Sequence, residues 1–382
     1  MKSELSAYLR ADGRWGVRNH VLALPVHAAA CSVCAEIAAR VPGVVTVRHD
    51  WTGGDGPDEE RALRTFVGHA AHPNVGAVLV VGLDDGDVRV ADAALARGQC
   101  VEFVSLAGSG GSQQAADDGV ERCRALVRRA AVVERTPAPP AALHLGLECG
   151  GSDAMSGITA NPALGIASDL LVEDGGTAIL AETSELIGAE HLLAARAVSR
   201  EIAADLLAMI DRFERDVATL GVDLRGGQPV PGNIAGGLTT IEEKSLGAAK
   251  KGGSAPIEGV LDFGEEPDGH GLYVMDTPGN DIEQMVGMVA GGVNVIAFTT
   301  GRGTPTGSPI APCLKISTTT ALFERMRDDI DLDAGTILGG GETLREVGER
   351  ILVALFEVAG GRPTAAERHG DHEFAVSRLQ AG

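Results

Sequence analysis

The stretch "LECGGSDAMSGITANPALG" (residues 147–165) joins a short apolar run to a helix through a turn rich in glycine and hydroxyl groups. The apolar run ends at Cys149, and the helix is predicted to begin at Asn161, a good N-cap, with Pro162 in its first turn. A buried strand that leads through a polar turn into a helix is the repeating unit of a parallel α/β sheet. Ligands of such sheets bind at the carboxyl ends of the strands, so the stretch predicts a fold and a place for function.

The same alternation of strands and helices runs through the first part of the chain. Apolar runs at 20–26, 43–49, 76–83 and 99–107 alternate with helix-like segments near 31–40, 57–71, 87–97 and 112–133. The Pro- and Ala-rich segment 134–143 is predicted to be a linker. We therefore expect an α/β fold of two Rossmann-like parallel-sheet units with helices on both faces, divided into an N-terminal domain (1–135) and a C-terminal domain (136–382).

The C-terminal half is predicted to continue the pattern. Strands are expected at 143–149, 177–183, 271–278 and 293–301. Helices are expected from Asn161 to about Asp174 and at 188–219, 281–290, 318–329 and 342–358, with a loop-rich region at 221–270.

The composition of the 382-residue chain limits the class of protein. A formal net charge of −21 with 3% aromatic residues argues against a nucleic-acid or anionic membrane partner, since both need a basic surface. No apolar run approaches the roughly 18 residues that span a bilayer, and the first residues do not form a signal peptide. Six cysteines in a chain of this length do not make a disulfide framework. We expect a cytoplasmic enzyme or binding protein.

Polar side chains are concentrated where four of the predicted strands end. Each turn also has a structural interpretation, because acids cap helices and Asp-Thr-Pro-Gly is a common turn. The turn "FTTGRG" (298–303) is the most specific, because two hydroxyls, an arginine and two glycines are typical of a carboxylate clamp. Cys31 and Cys34 have the spacing of a redox motif, but their alanine-rich flanks favour packing. The four turns comprise Cys149 to Thr159; Glu182, Thr183 and Glu185; Asp276, Thr277 and Asp281; and Thr299, Thr300 and Arg302.

The sequence resembles the altronate/galactarate dehydratase family, which includes the large subunit of sulfolactate sulfo-lyase. The resemblance runs from about residue 8 to "HEFAVS" near the C-terminus. It is carried by "LECGGSDAMSGITANPALG", "PGNIAGGLTTIEEKSLGAAKKGG", "VMDTPGNDIEQMVGMVAGGVNVIAFTTGRGTPTG" and "DDIDLDAGTIL". Members remove water or sulfite from sugar acids and related 2-hydroxy acids, typically with iron, manganese or magnesium. The resemblance implies a hydro-lyase for a small hydroxy or sugar acid, a divalent metal, a homo-oligomer, and a separate small subunit or domain that completes the site.

The chemistry of elimination suggests roles for the polar residues. Removing a proton next to a carboxylate requires a base, an acid and positive charge to stabilise the enediolate. Catalytic roles are expected for Cys149, Asp153, Glu182, Lys244 and Asp276. Substrate binding is expected for Ser152, Thr159, Thr300 and Arg302, with Lys244 as a second group for a substrate carboxylate. Metal ligands are expected at Cys149, Asp85 and Glu182.

The chain departs from the family pattern at several positions. Because thiols are missing there, hard oxygen ligands such as Asp85 favour Mg²⁺ or Mn²⁺ over thiolate-held iron. Two alternatives stay open: a carbon–sulfur lyase that releases sulfite from a sulfo-hydroxy acid, and a non-catalytic or repurposed subunit of a two-subunit complex. The departures are Ala29 for cysteine, Asp84-Asp85-Gly86 for "GCE", Ile234 for lysine, and Thr319 and Asp333 for asparagine.

Overall fold

The structure, a computed structural model, describes residues 5–219, 221 and 223–378. Parallel sheets flanked by helices occupy both halves of the chain, which confirms the predicted fold class. The strands are β1 (Leu5–Leu9), β2 (Trp15–Gly16), β3 (His20–Pro25), β4 (Val44–Thr46), β5 (Val75–Gly82), β6 (Val101–Ser105), β7 (Thr136–Ala138), β8 (His144–Gly150), β9 (Thr177–Leu180), β10 (Ile257–Leu261), β11 (Gly271–Met275), β12 (Val295–Thr300), β13 (Cys313–Ser317) and β14 (Leu332–Asp333).

The helices come between these strands. They are α1 (Cys31–Arg40), α2 (Gly56–Ala70), α3 (Val88–Ala96), α4 (Ser112–Ala130), α5 (Ala160–Glu173), α6 (Glu190–Ala194), α7 (Arg200–Thr219), α8 (Leu224–Gly227), α9 (Pro231–Ala235), α10 (Ile241–Ala249), α11 (Asp281–Ala290), α12 (Thr320–Arg325), α13 (Leu344–Ala359) and α14 (Ala365–His369). In the part of the chain that is described, no helix combines the length and the apolar character needed to cross a bilayer.

The first sheet has four parallel strands in the order β4-β3-β5-β6. Successive residues of β5 point to opposite faces, as in any strand. Leu79 and Val81 pack with α1 and α4, whereas Val78 and Val80 pack with α2 and α3. Burial on both faces explains why this strand is a continuous apolar run in the sequence.

The second sheet has seven parallel strands in the order β10-β11-β9-β8-β12-β13-β14. One face, with Leu145 and Leu147 of β8, packs against α5, α7 and α13. The other face, with Ile296 and Phe298 of β12, packs against α11. The carboxyl ends of β11, β9, β8 and β12 lie side by side at the centre of this sheet, and their turns form one edge.

The two sheets share a hydrophobic core. It contains residues of α2 from the first half and of α11 from the second, together with Phe374 and Val376 of the C-terminal segment. The two helices approach closely at Gly68, where an added Cβ would lie 2.4 Å from the carbonyl oxygen of Ala290. The segment 134–143, predicted to be a linker, contains β7, which pairs with β1 in a small antiparallel sheet. The boundary at residue 135 stays a prediction.

Several predicted elements differ from the structure. The expected helix at 188–219 is divided into α6 and α7, and the intervening Ala197 forms a bridge with Ile257 of β10. The region expected to be loops contains α8, α9, α10 and β10, and the prediction missed β13 and β14. Asn161 is not an N-cap: α5 begins at Ala160, and the Asn161 side chain bonds to the ends of neighbouring strands instead.

Candidate active site

Three carboxylates meet at the central edge of the seven-stranded sheet. Glu148 is near the end of β8, Glu182 follows β9, and Asp281 is the first residue of α11. One oxygen from each lies within 4.8 Å of the others, and we call this set the three-carboxylate group. Glu148 and Glu182 are buried, whereas Asp281 is half-buried.

Two lysines from the segment after α9 approach this group. Lys251 has no exposed side-chain surface, and its Nζ donates a hydrogen bond to Oε2 of Glu182. Lys244 of α10 lies nearer the surface, with its Nζ 2.8 Å from Oε1 of Glu185. Both side chains of that second pair are about nine-tenths buried, at 10% and 9% exposure. The edge therefore holds four acids and two ammonium groups in a largely dry environment.

Burial dominates the protonation of these acids. It raises the pKa of Glu148 well above its usual value, with repulsion from Glu182 adding to the effect. Burial is the largest cause, and repulsion from the Glu185 carboxylate the second, of the raised pKa values of Glu182, about 8, and of Asp281, about 6. Burial alone lowers the pKa of Lys251, but the attraction of Glu182 outweighs it and keeps this lysine an ammonium ion. The Lys251 ammonium thus supplies one positive charge to a group of three carboxyl groups.

Glu182 has an unusual backbone. Its φ of 70° and ψ of 64° place it in the left-handed region, and it is the one non-glycine residue with positive φ in the described chain. This conformation costs a residue with a Cβ about 1–2 kcal/mol. Thr277 holds it in place, because its Oγ1 accepts from the Glu182 amide at 2.8 Å and its carbonyl accepts from the Thr183 amide. Strain of this kind clusters at functional sites.

Cys149 lies beside the three-carboxylate group without belonging to it. Its Sγ is 3.0 Å from Oγ of Ser152 and accepts from Nδ2 of Asn161 at 3.7 Å. Oδ1 of Asn161 in turn accepts from Oγ1 of Thr299 at 2.6 Å. Burial raises the pKa of the Cys149 thiol. The expected metal ligation by Cys149 stays a prediction.

Asp153 and Thr159 organise the turn that precedes α5. The Asp153 carboxylate accepts from the amide of Ser156 at 2.8 Å and from Oγ1 of Thr318 at 3.0 Å. Thr159 is fully buried, and its Oγ1 donates to the carbonyl of Thr318 at 2.8 Å. These contacts connect the turn to the segment after β13, so the structure gives both side chains positioning contacts.

Asp276 and Thr300 also have local partners. The two oxygens of Asp276 accept from Oγ1 of Thr183 at 2.8 Å and from Nη2 of Arg212 at 2.7 Å. Oγ1 of Thr300 accepts from the amide of Gly303 at 2.9 Å and shapes that turn. Asp276 thereby fixes the turn after β9 relative to the turn after β11.

Arg302 lies exposed at the rim of the same edge. Helix α9 approaches its guanidinium closely, because a Cβ added at Gly232 would lie 2.1 Å from Nη1 of Arg302. Within the described residues, it makes no ion pair. An exposed guanidinium without an ion pair, in the turn that follows β12, suits the carboxylate of a bound acid.

Asp85 is in a different part of the molecule. It lies exposed after β5 of the four-stranded sheet, and its Oδ1 accepts from Oγ of Ser105 at 2.5 Å. It does not belong to the three-carboxylate group. The structure therefore does not bring Asp85 together with Glu182, as a shared metal site would require.

Sequence reasoning missed Glu148 and Lys251 as site residues. Glu148 lies within the apolar run that forms β8, and a charge in a buried strand is itself a functional signal. Lys251 follows a second lysine in "AAKKGG", where nothing in the sequence shows which of the two is buried. Asp281 was noticed only as one polar residue in its turn.

The α/β fold and the buried acid–lysine edge are typical of an enzyme that moves protons on an anionic substrate. A family model for the C-terminal part of D-galactarate/altronate dehydratases matches residues 141–381. A model for the second domain of D-galactarate dehydratase/altronate hydrolase matches residues 7–131. The chain belongs to this family, and its class is that of a lyase.

Named relatives differ in their reactions. The chain is 37% identical to (2R)-sulfolactate sulfo-lyase subunit beta of Chromohalobacter salexigens over 97% of this chain and 96% of that protein. It is 34% identical to altronate dehydratase of Escherichia coli over 98% of this chain and 77% of that protein. It is 42% identical to galactarate dehydratase (L-threo-forming) of Escherichia coli over 63% of this chain and 46% of that protein.

Proposed function

We propose that the protein is a hydro-lyase that eliminates water from a small hydroxy or sugar acid. The observation that carries the proposal is the fully buried Lys251 ammonium among three carboxylates at the carboxyl edge of the sheet. Positive charge held in a dry site stabilises the enediolate that forms when a proton leaves the carbon next to a carboxylate. Membership of a family whose relatives are named as dehydratases and a sulfo-lyase supports the same class of chemistry.

The Lys244–Glu185 pair is assigned the proton transfers. Glu185 takes the proton from C2, and the electron pair of the C–H bond forms the C2–C3 double bond. The C3–O bond breaks, and Lys244 donates a proton so that the hydroxyl leaves as water. The enol product then tautomerises to a 2-oxo acid. Oε2 of Glu185 has no hydrogen-bond partner in the described structure, which supports its role as the base.

Arg302 is assigned the substrate carboxylate. Replacing Arg302 with Ala is expected to raise KM by about 10- to 100-fold while changing kcat less, because a charge-assisted hydrogen bond contributes about 1.5–3 kcal/mol. The assay follows 2-oxo acid formation from altronate and galactarate. Arg325→Ala is the matched control, since the Arg325 side chain lies beside Arg302 and, among the described residues, donates a hydrogen bond to its carbonyl oxygen alone. An unchanged KM for Arg302→Ala would remove this assignment.

Release of sulfite from a sulfo-hydroxy acid is the second candidate function. It is favoured by the match to the sulfo-lyase subunit, which covers almost all of both chains. Sulfite leaves without being protonated, whereas a hydroxyl group must receive a proton to leave as water. Lys244→Met is therefore expected to lower water elimination by about 100-fold and to spare sulfite release, on the usual scale for a general acid. Sulfite and 2-oxo acid measured in parallel, with (2R)-sulfolactate and altronate as substrates, separate the two reactions.

We also propose that a separate small subunit or domain completes the site and that the chain forms a homo-oligomer in the cytoplasm. The relative named as a subunit beta supports a multi-subunit arrangement. Turnover of the chain alone and with the product of a co-expressed small partner tests this. Full turnover by the isolated chain would contradict the need for a partner. The absence of turnover with every substrate, with and without the partner, would instead favour a non-catalytic subunit.

A further inference from the structure

We propose that Glu148, Glu182 and Asp281 form a binding site for one divalent cation of the hard, oxygen-preferring class, such as Mg²⁺ or Mn²⁺. This ligand set differs from the one that the sequence suggested, because Cys149 and Asp85 are not part of it. The proposal deepens the proposed function, since a cation there would act as a Lewis acid for a substrate carboxylate. Its support comes from this chain's own side chains.

Unpartnered carboxylate oxygens are the first argument. Glu148 has no exposed surface, and neither of its carboxylate oxygens has a hydrogen-bond partner in the described structure. Oε1 of Glu182 is buried and without a partner as well. Burying an ionised carboxylate without a partner costs several kcal/mol, so such a group keeps its proton unless a counter-ion lies against it. The unpartnered oxygens belong to the three-carboxylate group, where a cation could contact all three acids.

Charge balance is the second argument. Lys251 is the ammonium that contacts Glu182, and Lys244 is already paired with Glu185. When all three acids of the group are ionised, Lys251 compensates one of them and two negative charges are left. A divalent cation neutralises that remainder, whereas a monovalent cation leaves a buried negative charge.

The shape of the edge is the third argument. Gly150 ends β8 directly beneath Asp281, and an added Cβ there would lie 2.3 Å from Oδ2 of Asp281. Glycine at this position therefore allows the Asp281 carboxylate to lie over the strand next to Glu148. Glu182 reaches the same point through its left-handed backbone. Two costly local features thus bring acids together that would otherwise repel one another.

The donor set selects the class of cation. All three ligands are carboxylates, which suit Mg²⁺ and Mn²⁺, and the neighbouring thiol of Cys149 is occupied by Ser152 and Asn161. Three protein ligands leave several coordination positions for water or for oxygens of a substrate. Asp281 is the half-buried ligand of the three, so those positions are nearest to solvent on its side.

Direct binding of Mn²⁺ to the full chain tests the site. Chelator-treated protein at pH 7.5 is titrated with Mn²⁺, and the free ion is measured by electron paramagnetic resonance. One Mn²⁺ per chain is expected for the wild type. Affinity is expected to fall by at least about tenfold in Glu148→Gln and in Asp281→Asn, on the usual scale for losing one group that supports a metal. Glu283→Gln is the matched control on the same helix, because Glu283 is half-buried like Asp281 and lies outside the three-carboxylate group, and its affinity is expected to stay within about twofold.

Thermal unfolding provides the second measurement and shows that each variant is folded. A ligand that binds only the folded state raises its stability, so Mn²⁺ is expected to raise the Tm of the wild type and of Glu283→Gln but not that of Asp281→Asn. Asp281 is half-buried, so its amide variant is the one expected to fold normally. Wild-type protein that binds neither Mn²⁺ nor Mg²⁺ would overturn the proposal, as would unchanged Mn²⁺ affinity in both amide variants.

The cation site and the proposed reaction fail in different ways. If a hydroxy acid is turned over at a rate that a chelator does not change, and the protein binds no Mn²⁺, the cation-site proposal is wrong and the proposed reaction stands. Stoichiometric Mn²⁺ that is lost in Glu148→Gln, with no 2-oxo acid or sulfite formed from any substrate, would leave the site and eliminate the reaction.

Discussion

The two parallel sheets of this protein end in acidic turns of similar composition but opposite character. After β5, Asp84 and Asp87 accept hydrogen bonds from the nearby amides of Gly86 and Leu83, and Asp84 is exposed while Asp87 is half-buried. After β8 and β9, the acids are buried, and several of their oxygens have no hydrogen-bond partner among the described residues. An acid at the carboxyl end of a strand therefore indicates a site only where burial has removed its ordinary partners.

The difference comes from what covers each edge. The segment that follows α9 folds over the seven-stranded sheet, where α10 and the turn at Lys250–Gly252 contact α5, β8 and β9. This cover excludes water and brings Lys251 onto Glu182. The turn after β5 in the four-stranded sheet is exposed, so its acids remain hydrated. Each of the following predictions tests whether this contrast has the functional meaning we give it.

Lys251 and Lys315 are both fully buried lysines, and replacing each with Met gives the largest expected contrast. Lys251→Met is expected to lower kcat/KM by about 10³-fold, because it removes the positive charge next to the developing enediolate. Lys315 lies on β13 and donates to the carbonyl of Pro305, so Lys315→Met is expected to lower stability by about 3 kcal/mol and to spare most of the activity of the folded fraction. Steady-state kinetics and urea unfolding measure both.

Equal losses of kcat/KM in the two lysine variants, after correction for the folded fraction, would break the contrast. Such a result would mean that any buried lysine of this fold supports activity through stability alone.

Asp281 and Asp85 compare one acid from each sheet. Asp281→Asn is expected to lower kcat by about 100-fold, within the range seen for groups acting directly on the reacting centre. Asp85→Asn is expected to change it by no more than about twofold, because that side chain is exposed and bonds only locally to Ser105. A large effect of Asp85→Asn on activity, with Ser105→Ala as its control, would show that the four-stranded sheet contributes to the site after all.

The pH dependence of folding reports on the core that the two sheets share, through a buried histidine. Burial lowers the pKa of His69 from 6.5 to about 4, and its ring packs edge-on against Phe374 with centroids 4.9 Å apart. Between these two values the unfolded chain binds a proton that the folded chain does not, so stability falls as the pH falls through this window. Between pH 7 and pH 5 this group is expected to remove about 2 kcal/mol.

Urea unfolding of the wild type and of His69→Gln at both pH values measures this contribution. The acids of the three-carboxylate group have raised pKa values, so their contribution to stability changes with pH in the opposite direction. That contribution is the same in both proteins and cancels when their stabilities are subtracted. Identical pH dependence in the two proteins would show that His69 does not report on this core.

The smallest effects are expected from replacing Cys34 and Cys149, two of the six cysteines, one from each half of the chain. Cys34→Ala is expected to cost about 1 kcal/mol of stability and to leave turnover unchanged, because this residue is buried in the packing of α1. Cys149→Ala removes the contact with Ser152 at the site and is expected to lower kcat by about tenfold on the scale of one hydrogen bond. Urea unfolding measures the stability change, and turnover before and after treatment with a thiol oxidant measures the activity of both variants. A loss of activity confined to Cys34→Ala would restore the redox interpretation of Cys31 and Cys34.

The sequence predicts the regular parts of the fold because buried parallel strands such as β5 and β12 are continuous apolar runs. It misses β13, where Lys315 interrupts the apolar run, and β14, which has only two residues. In the site, the turn after β9 predicts Glu182 because polar residues follow an apolar strand. The partnership with Lys251 comes from a segment about 70 residues away, and local patterns hold no information about such a contact.

The close approach of α2 and α11 at Gly68 has a practical consequence for anyone who works with pieces of this chain. The two segments matched by separate family models bury a common interior, and the last described residues return to cover it. Residues 141–381 expressed alone would expose the apolar face of α11 to water and aggregate. Chimeras that exchange one segment between relatives need a small residue at position 68 and a matching helix opposite it.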